Sequence, residues 1–177
     1  AEKIRSLRDH GATVSDFQRH HGSRPYLLSE HSYAGYNYRM TDIQAALGLS
    51  QMKRAQQVVD ERRIIGNKYN RRLENINFFQ LPYQYSDYIH GYQSYPCIFD
   101  IKNAKNLKDI GNTNKKRNIF MDALQNDGVS TRPATHAVHM LDYYKRKYKL
   151  KSEDFPNAYI ANECSISFPL FNGLTGD

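Results

Sequence analysis

A mixed α/β chain with a small α+β domain is the fold class predicted for these 177 residues, and three observations carry it. Helical apolar spacing dominates residues 41–75, short strand-like segments alternate with helical ones after Pro82, and a 40% hydrophobic content supplies one core or two small ones. The same composition excludes disorder and collagen-like repetition.

Taken in order, Ala1 to Arg8 (AEKIRSLR) reads as the last turns of a helix, with Ile4 and Leu7 on one side and Gly11 placed to end it. That helix is expected to begin before the sequence does. Residues 9–40 are rich in Gly, Ser, His and Tyr without periodicity, so they read as a long irregular connection of the kind that carries function. A strong helix then starts at a capping box: the Thr41 hydroxyl accepts from the Gln44 amide, the Gln44 side chain reaches back, and Asp42 favours the positive end of the dipole. Ile43, Ala46, Leu47, Ala55, Val58, Val59, Ile65, Tyr69 and Leu73 continue one helical spacing to about residue 75.

Beyond Pro82, Tyr92 to Ile101 (YQSYPCIFDI) reads as a strand whose proline points to an edge or a bulge. Asn114 to Asn126 reads as an amphipathic helix ending toward Gly128, and Val129 to Arg132 as a further strand. Val138 to Leu150 returns to helical spacing, Ser152 to Cys164 reads as a loop and short helix, and Ser165 to Pro169 as a brief strand. The ending Thr175-Gly176-Asp177 resembles the N-cap of a helix that lies beyond it, so both ends suggest a piece of something longer.

No apolar run approaches the roughly 20 residues of a membrane helix, and residues 1–20 lack a signal-peptide core. Cys97 and Cys164 form no C-x-x-C pair, so neither a disulfide framework nor a cysteine metal site is indicated, and a cytoplasmic location is expected. The formal charge of +7 favours anionic partners without naming one, and because no long Lys/Arg-rich run is present a solvated face is the plainer account of it. The densest basic stretch alternates Lys145, Arg146, Lys147, Lys149 and Lys151 with Tyr148 and Leu150.

Two segments could carry chemistry. In Gly35 to Ala46 (GYNYRMTDIQAA), Asn37 and Arg39 sit on a loop just ahead of a helix. An amide and a guanidinium are hydrogen-bond donors, and the planar, charged fork suits phosphate or carboxylate. Asn37 supporting a turn, with Arg39 on the surface, explains the same residues. In Thr131 to Tyr144 (TRPATHAVHMLDYY), His136 and His139 are three apart and could share a helical face. No third ligand stands at matching spacing, so metal binding is not indicated. A polar pair lining a pocket, with Arg132 nearby able to bind a negatively charged group, stands beside a reading as packed, satisfied histidines.

These residues carry a resemblance. AEKIRSLRDHGA followed by GYNYRMTDIQAALGLSQM is similar to the region of DegT/DnrJ/StrS-type sugar aminotransferases where an R-x-H-G element leads to a G-x-N-x-R-M loop and a helix with A-A-x-G-x-x-Q. Tyr69 and Leu73 fit its Y-x-x-x-L element, HGYQSYPCIF its small-domain strand, GVSTRPATHAVHMLDYY its paired-histidine segment, and FPNAYIANECSISFPLF its closing element. The wording is nearest to perosamine-synthetase-like members.

The resemblance implies the C-terminal part of a type I, aspartate-aminotransferase-like fold of pyridoxal 5'-phosphate enzymes. It implies a homodimer with a shared active site, and transfer of an amino group, usually from glutamate, to a keto group on a nucleotide-linked sugar destined for polysaccharide. It places Asn37 at the cofactor phosphate of the neighbouring subunit, Arg39 beside the substrate, and His136 and His139 near the sugar-nucleotide pocket. On this reading residues 1–50 are the tail of the large cofactor-binding domain with the active-site loop at 33–40. Residues 51–80 are a long connecting helix, and residues 81–177 a small C-terminal α/β domain. One departure matters: the lysine that forms the Schiff base with the cofactor, which precedes a G-E-G-G stretch in the family, has no counterpart here. The catalytic lysine is therefore expected upstream, and the chain alone is expected to be inactive. The alternatives are a basic nucleic-acid-binding module, suggested by the charge and interleaved tyrosines, and a non-catalytic dimerisation protein.

Overall fold

The computed structural model describes residues 1–13, 30–100, 102 and 107–174, in two compact units, Ala1–Arg54 and Ala55–Asp177. Residues 14–29 of the 9–40 connection, Ile101 at the end of the expected strand, and the terminal Thr175 to Asp177 lie outside the described residues.

In the first unit, helix α1 (Glu2–Arg8) ends as the backbone turns left-handed at His10 and Gly11, where the Gly11 amide donates to the Ser6 carbonyl at 2.8 Å. Residues 9–12 then lie against residues 31–38, with isolated antiparallel bridges pairing Asp9 with Asn37 and Ala12 with His31. Two glycines make this approach possible. A Cβ on Gly11 would strike the Tyr33 carbonyl, and one on Gly35 would strike the backbone of His10 and Gly11. Helix α2 (Asp42–Met52) carries the expected capping box, with the Gln44 amide donating to Thr41 Oγ1 at 3.3 Å and the Thr41 amide to Gln44 Oε1 at 3.0 Å.

Where the apolar spacing predicts one helix to about residue 75, there are two. Helix α2 stops at Met52, and α3 (Ala55–Leu73) starts after a turn at Lys53 and Arg54. The Arg54 amide bonds to the Gln51 carbonyl at 3.1 Å, a three-residue span that tightens the last turn, and its guanidinium grips Gln51 Oε1 at 3.1 and 3.0 Å.

The second unit is built on a three-stranded antiparallel sheet in the order β1-β2-β3: β1 (Phe79–Gln80), β2 (Tyr95–Phe99) and β3 (Ser165–Phe168). Helix α4 (Ile110–Asn126) and helix α6 (Pro156–Cys164) pack on each other, and between them come a 3-10 turn (Val138–Met140), helix α5 (Asp142–Tyr148) and a second 3-10 turn (Ser152–Asp154). Strand β2 alternates buried and half-buried residues, so Tyr95, Cys97 and Phe99 face the core. Around Tyr92, Tyr95, Cys97 and Ile166 gather Tyr69, Phe79, Phe120 and Phe168, and a second cluster centres on Ile110 and Cys164. The fully buried Tyr95 hydroxyl donates to Asn70 Oδ1 at 2.6 Å, and Asn70 Nδ2 donates to the Tyr92 hydroxyl at 3.1 Å, so the aromatic core satisfies its polar tips.

Pro96 lies in the central strand rather than at an edge. Its partner Ser167 exchanges both backbone bonds with Arg132 on the far side, so the Pro96–Ser167 pair needs no bond between β2 and β3. The proline nitrogen is thus directed toward β1, which pairs only with Ile98 and Phe99 and does not reach it. The strand expected at Val129 to Arg132 reduces to that one bridge at Arg132. The helix expected from Val138 is broken into the 3-10 turn and α5, because Leu141 is extended between them.

Candidate active site

The extended run Tyr36 to Arg39 puts Asn37 and Arg39 on one side of the chain and Tyr36 and Tyr38 on the other, where their rings stack 5.1 Å apart. Three backbone bonds hold this run to α1 and its exit: the Tyr36 amide to the Leu7 carbonyl at 2.7 Å, the Tyr38 amide to Arg8 at 2.8 Å, and the His10 amide to Tyr36 at 3.0 Å. Asn37 and Arg39 are both exposed. Arg39 Nε donates to Asn37 Oδ1 at 3.3 Å, and Arg39 Nη1 pairs with Asp9 Oδ1 at 3.5 Å. A polar hollow of about 730 Å³ runs along α1 past Asp9 and Arg39, with Lys3, Arg5 and Arg8 on its wall.

The histidine pair belongs to the second unit. His136 is exposed, and His139 is only 6% exposed in the 3-10 turn, so the two do not share the helical face their spacing allowed. The reason is long-range. The Ala134 amide donates to Ser165 Oγ at 3.1 Å and the Ala137 amide to Asn162 Oδ1 at 2.9 Å, which fastens the segment to α6 and β3. The His139 ring packs 5.1 Å from Phe155, and its buried Nε2 has no hydrogen-bond partner among the described residues. Arg132 Nη1 donates to the Thr131 carbonyl at 2.9 Å. A separate cavity of about 490 Å³, between Ile65, Tyr69, Val129 and Phe171, holds none of the predicted site residues.

Two residues escape sequence reasoning. Asp9 sits 30 positions from its partner Arg39, a distance no local pattern bridges. Arg117, in the polar stretch of α4, reads as a surface residue but is 6% exposed, and burial lowers its pKa from the ordinary value while Glu163 opposes the shift. Its guanidinium donates to the Asn162 and Ser165 carbonyls at 3.2 and 3.1 Å, and to Asn118 Oδ1 at 2.7 Å. That makes it the fastening between α4 and the α6–β3 corner under the histidine segment. Among the described residues no group of three His, Cys, Asp or Glu side chains could hold a metal ion.

The DegT/DnrJ/EryC1/StrS aminotransferase family model matches residues 1–177. The chain belongs to that family. It is 31% identical over its whole length to the uncharacterized protein MJ1066 of Methanocaldococcus jannaschii and 30% identical to the spore coat polysaccharide biosynthesis protein SpsC of Bacillus subtilis. The chain spans 43% of the length of each of these relatives. Among solved structures it superposes on the PMP form of Spr1654 from Streptococcus pneumoniae with a TM-score of 0.72 at 19% identity, covering 98% of this chain and 40% of that one. The fold is accordingly the C-terminal part of the type I, pyridoxal-phosphate transferase fold, as the motifs implied.

For this DegT/DnrJ/EryC1/StrS chain, the donor chemistry fits the phosphate of pyridoxal 5'-phosphate. A phosphate dianion only accepts hydrogen bonds at its oxygens. The Asn37 carboxamide, with its oxygen occupied by Arg39, has its NH2 group left to donate. In the second unit, the buried Nε2 of His139, without a partner among the described residues, is a polar atom of the kind a bound hydroxyl satisfies.

Proposed function

We propose that this chain is the C-terminal portion of a pyridoxal-phosphate-dependent aminotransferase that moves an amino group, with glutamate as donor, onto a keto group of a nucleotide-linked sugar. The bound cofactor supplies the electron sink for that transfer. Asn37 donates from its amide to the cofactor phosphate, and Arg39 holds an anionic or hydroxyl-bearing part of the substrate. His136 and His139 contact the sugar nucleotide, with the buried His139 Nε2 taking a substrate hydroxyl as partner. The catalytic lysine comes from residues outside these 177, so this chain alone does not turn over. The observation that carries the reading is the Arg39–Asn37 hydrogen bond, which fixes an amide in the orientation an anion requires.

The active site is shared within a homodimer, on this proposal. Support comes from α2, which begins three residues after Arg39 and buries no residue in its own unit. Ile43 is 84% exposed, and Leu47, Leu49 and Met52 are exposed with it. Apolar side chains displayed around a helix call for a covering surface. Cytoplasmic residence accompanies the proposal, and among the described residues no helix is long and apolar enough to cross a membrane. In the basic stretch, Lys147 donates to the Tyr143 hydroxyl at 2.9 Å and lies over the Tyr143 and Tyr148 rings, while Arg146 pairs with Asp142 at 3.8 Å. The test is amino transfer from glutamate, assayed on the chain alone and in the presence of the lysine-bearing segment. Turnover by the chain alone would overturn the assignment of the missing lysine.

A further inference from the structure

We infer that Asp9 is a positioning residue for the cofactor phosphate, acting through Arg39 on the orientation of the Asn37 carboxamide. The inference rests on the proposal that Asn37 donates to that phosphate. A carboxamide has two faces of opposite character: its NH2 group attracts an anion, and its oxygen repels one. Nothing in the bridge between Asp9 and Asn37, which is a backbone pairing, decides which face the loop offers. Arg39 decides it. A guanidinium only donates, so its Nε can meet Asn37 only through Oδ1, at 3.3 Å, and that contact commits the oxygen and leaves the NH2 group for the ligand.

Arg39 must itself be held for this to work, because a free arginine would pair with the phosphate directly and release the amide. Asp9 holds it. The Asp9 side chain is only 20% exposed against 46% for that of Arg39, and its Oδ1 lies 3.5 Å from Nη1, a different nitrogen from the one engaged by Asn37. The carboxylate thus anchors one edge of the fork while another meets the amide. Asp9 is fixed in turn where α1 ends, its amide donating to the Ser6 carbonyl at 3.0 Å, so the three side chains form a relay from the end of α1 to the loop.

The experiment is a double-mutant cycle on pyridoxal phosphate retention by the holoenzyme, with Asp9→Asn, Asn37→Ala, the pair together, and Asp9→Glu as the conservative variant. The expected result is that Asn37→Ala weakens retention about tenfold or more, that Asp9→Asn weakens it several-fold only where Asn37 is present, and that Asp9→Glu restores most of the loss. Equal losses from Asp9→Asn with and without Asn37 would make Asp9 merely structural and overturn the inference. If Asn37→Ala leaves retention unchanged, the underlying role of Asn37 fails, and the inference with it. A cofactor-free readout separates the two. In the nitrogen-15 spectrum of the 177-residue chain, Asp9→Asn is expected to shift the Asn37 side-chain NH2 signals, and their indifference would refute the relay whatever Asn37 binds.

Discussion

Replacing Gly35 with alanine tests the junction that carries Asn37. The added Cβ would collide with the Gly11 nitrogen, the His10 carbonyl carbon and the Leu7 carbonyl oxygen, all backbone atoms that cannot rotate aside. Relief requires residues 35–38 to move off the 7–11 segment, which breaks the bonds from Tyr36 to Leu7, from Tyr38 to Arg8 and from His10 to Tyr36. At about 1 kcal/mol net for each hydrogen bond, the loss is about 3 kcal/mol, or roughly a 100-fold rise in local opening. Hydrogen exchange of the Tyr36, Tyr38 and His10 amides reads it directly. Gly48→Ala, in the middle of α2 with no described atom beyond its own helix backbone within 4 Å of the added carbon, is the control and should stabilise its helix by about 1 kcal/mol. Unchanged protection at the three amides in Gly35→Ala would refute the close-approach argument.

Other perturbations probe the second unit. Burial pushes the Cys97 thiol up to about 12 and the Cys164 thiol up to about 11, from an ordinary 9.0, so both stay protonated when folded. Because the folded values lie above the unfolded one, the stability they confer is intact below pH 9 and falls as pH rises from 9 toward 11. The fall is about 1.4 kcal/mol per pH unit for each thiol, and denaturant midpoints measured across that range should fall less steeply in a double Cys→Ala variant. Neither thiol should react with a disulfide reagent at pH 8 until the chain unfolds. Arg117→Ala should cost about 3 kcal/mol in a denaturation experiment, since it strands the Asn162 and Ser165 carbonyls and leaves a hole, and Arg117→Met, which refills the space, should cost less.

The sequence announces whatever depends on neighbours along the chain. The Thr41–Gln44 capping box, the end of α1 near Gly11 and the end of α4 near Gly128 all rest on short-range chemistry, and all appear in the fold. The same holds for Asn37 and Arg39, whose two-residue spacing in an extended run suffices to bring them together. Long-range partners are silent in the sequence. The apolar rhythm of residues 43–73 does not register the tightened turn at Arg54, because a three-residue hydrogen bond leaves the spacing nearly intact. Pro96 looks like an edge residue until Arg132 takes up the backbone groups of Ser167. His136 and His139 part company because Ser165 and Asn162, more than 20 residues downstream, hold the backbone at Ala134 and Ala137. Arg117 is polar, mid-helix and among polar neighbours, which is the pattern of a solvated residue until α6 closes over it.

Everything proposed for the site depends on a division of labour in which these residues supply Asn37 and another segment supplies the lysine. Amino transfer from glutamate to a nucleotide-linked keto-sugar, measured with pyridoxal phosphate present, examines it most directly when the 177-residue chain is assayed alone, with the lysine-bearing segment, and with that segment after Asn37→Ala. Turnover is expected only when the lysine-bearing segment is present, and Asn37→Ala is expected to reduce it about tenfold or more at limiting cofactor. Turnover by the chain alone, or a mixture indifferent to Asn37, would contradict it.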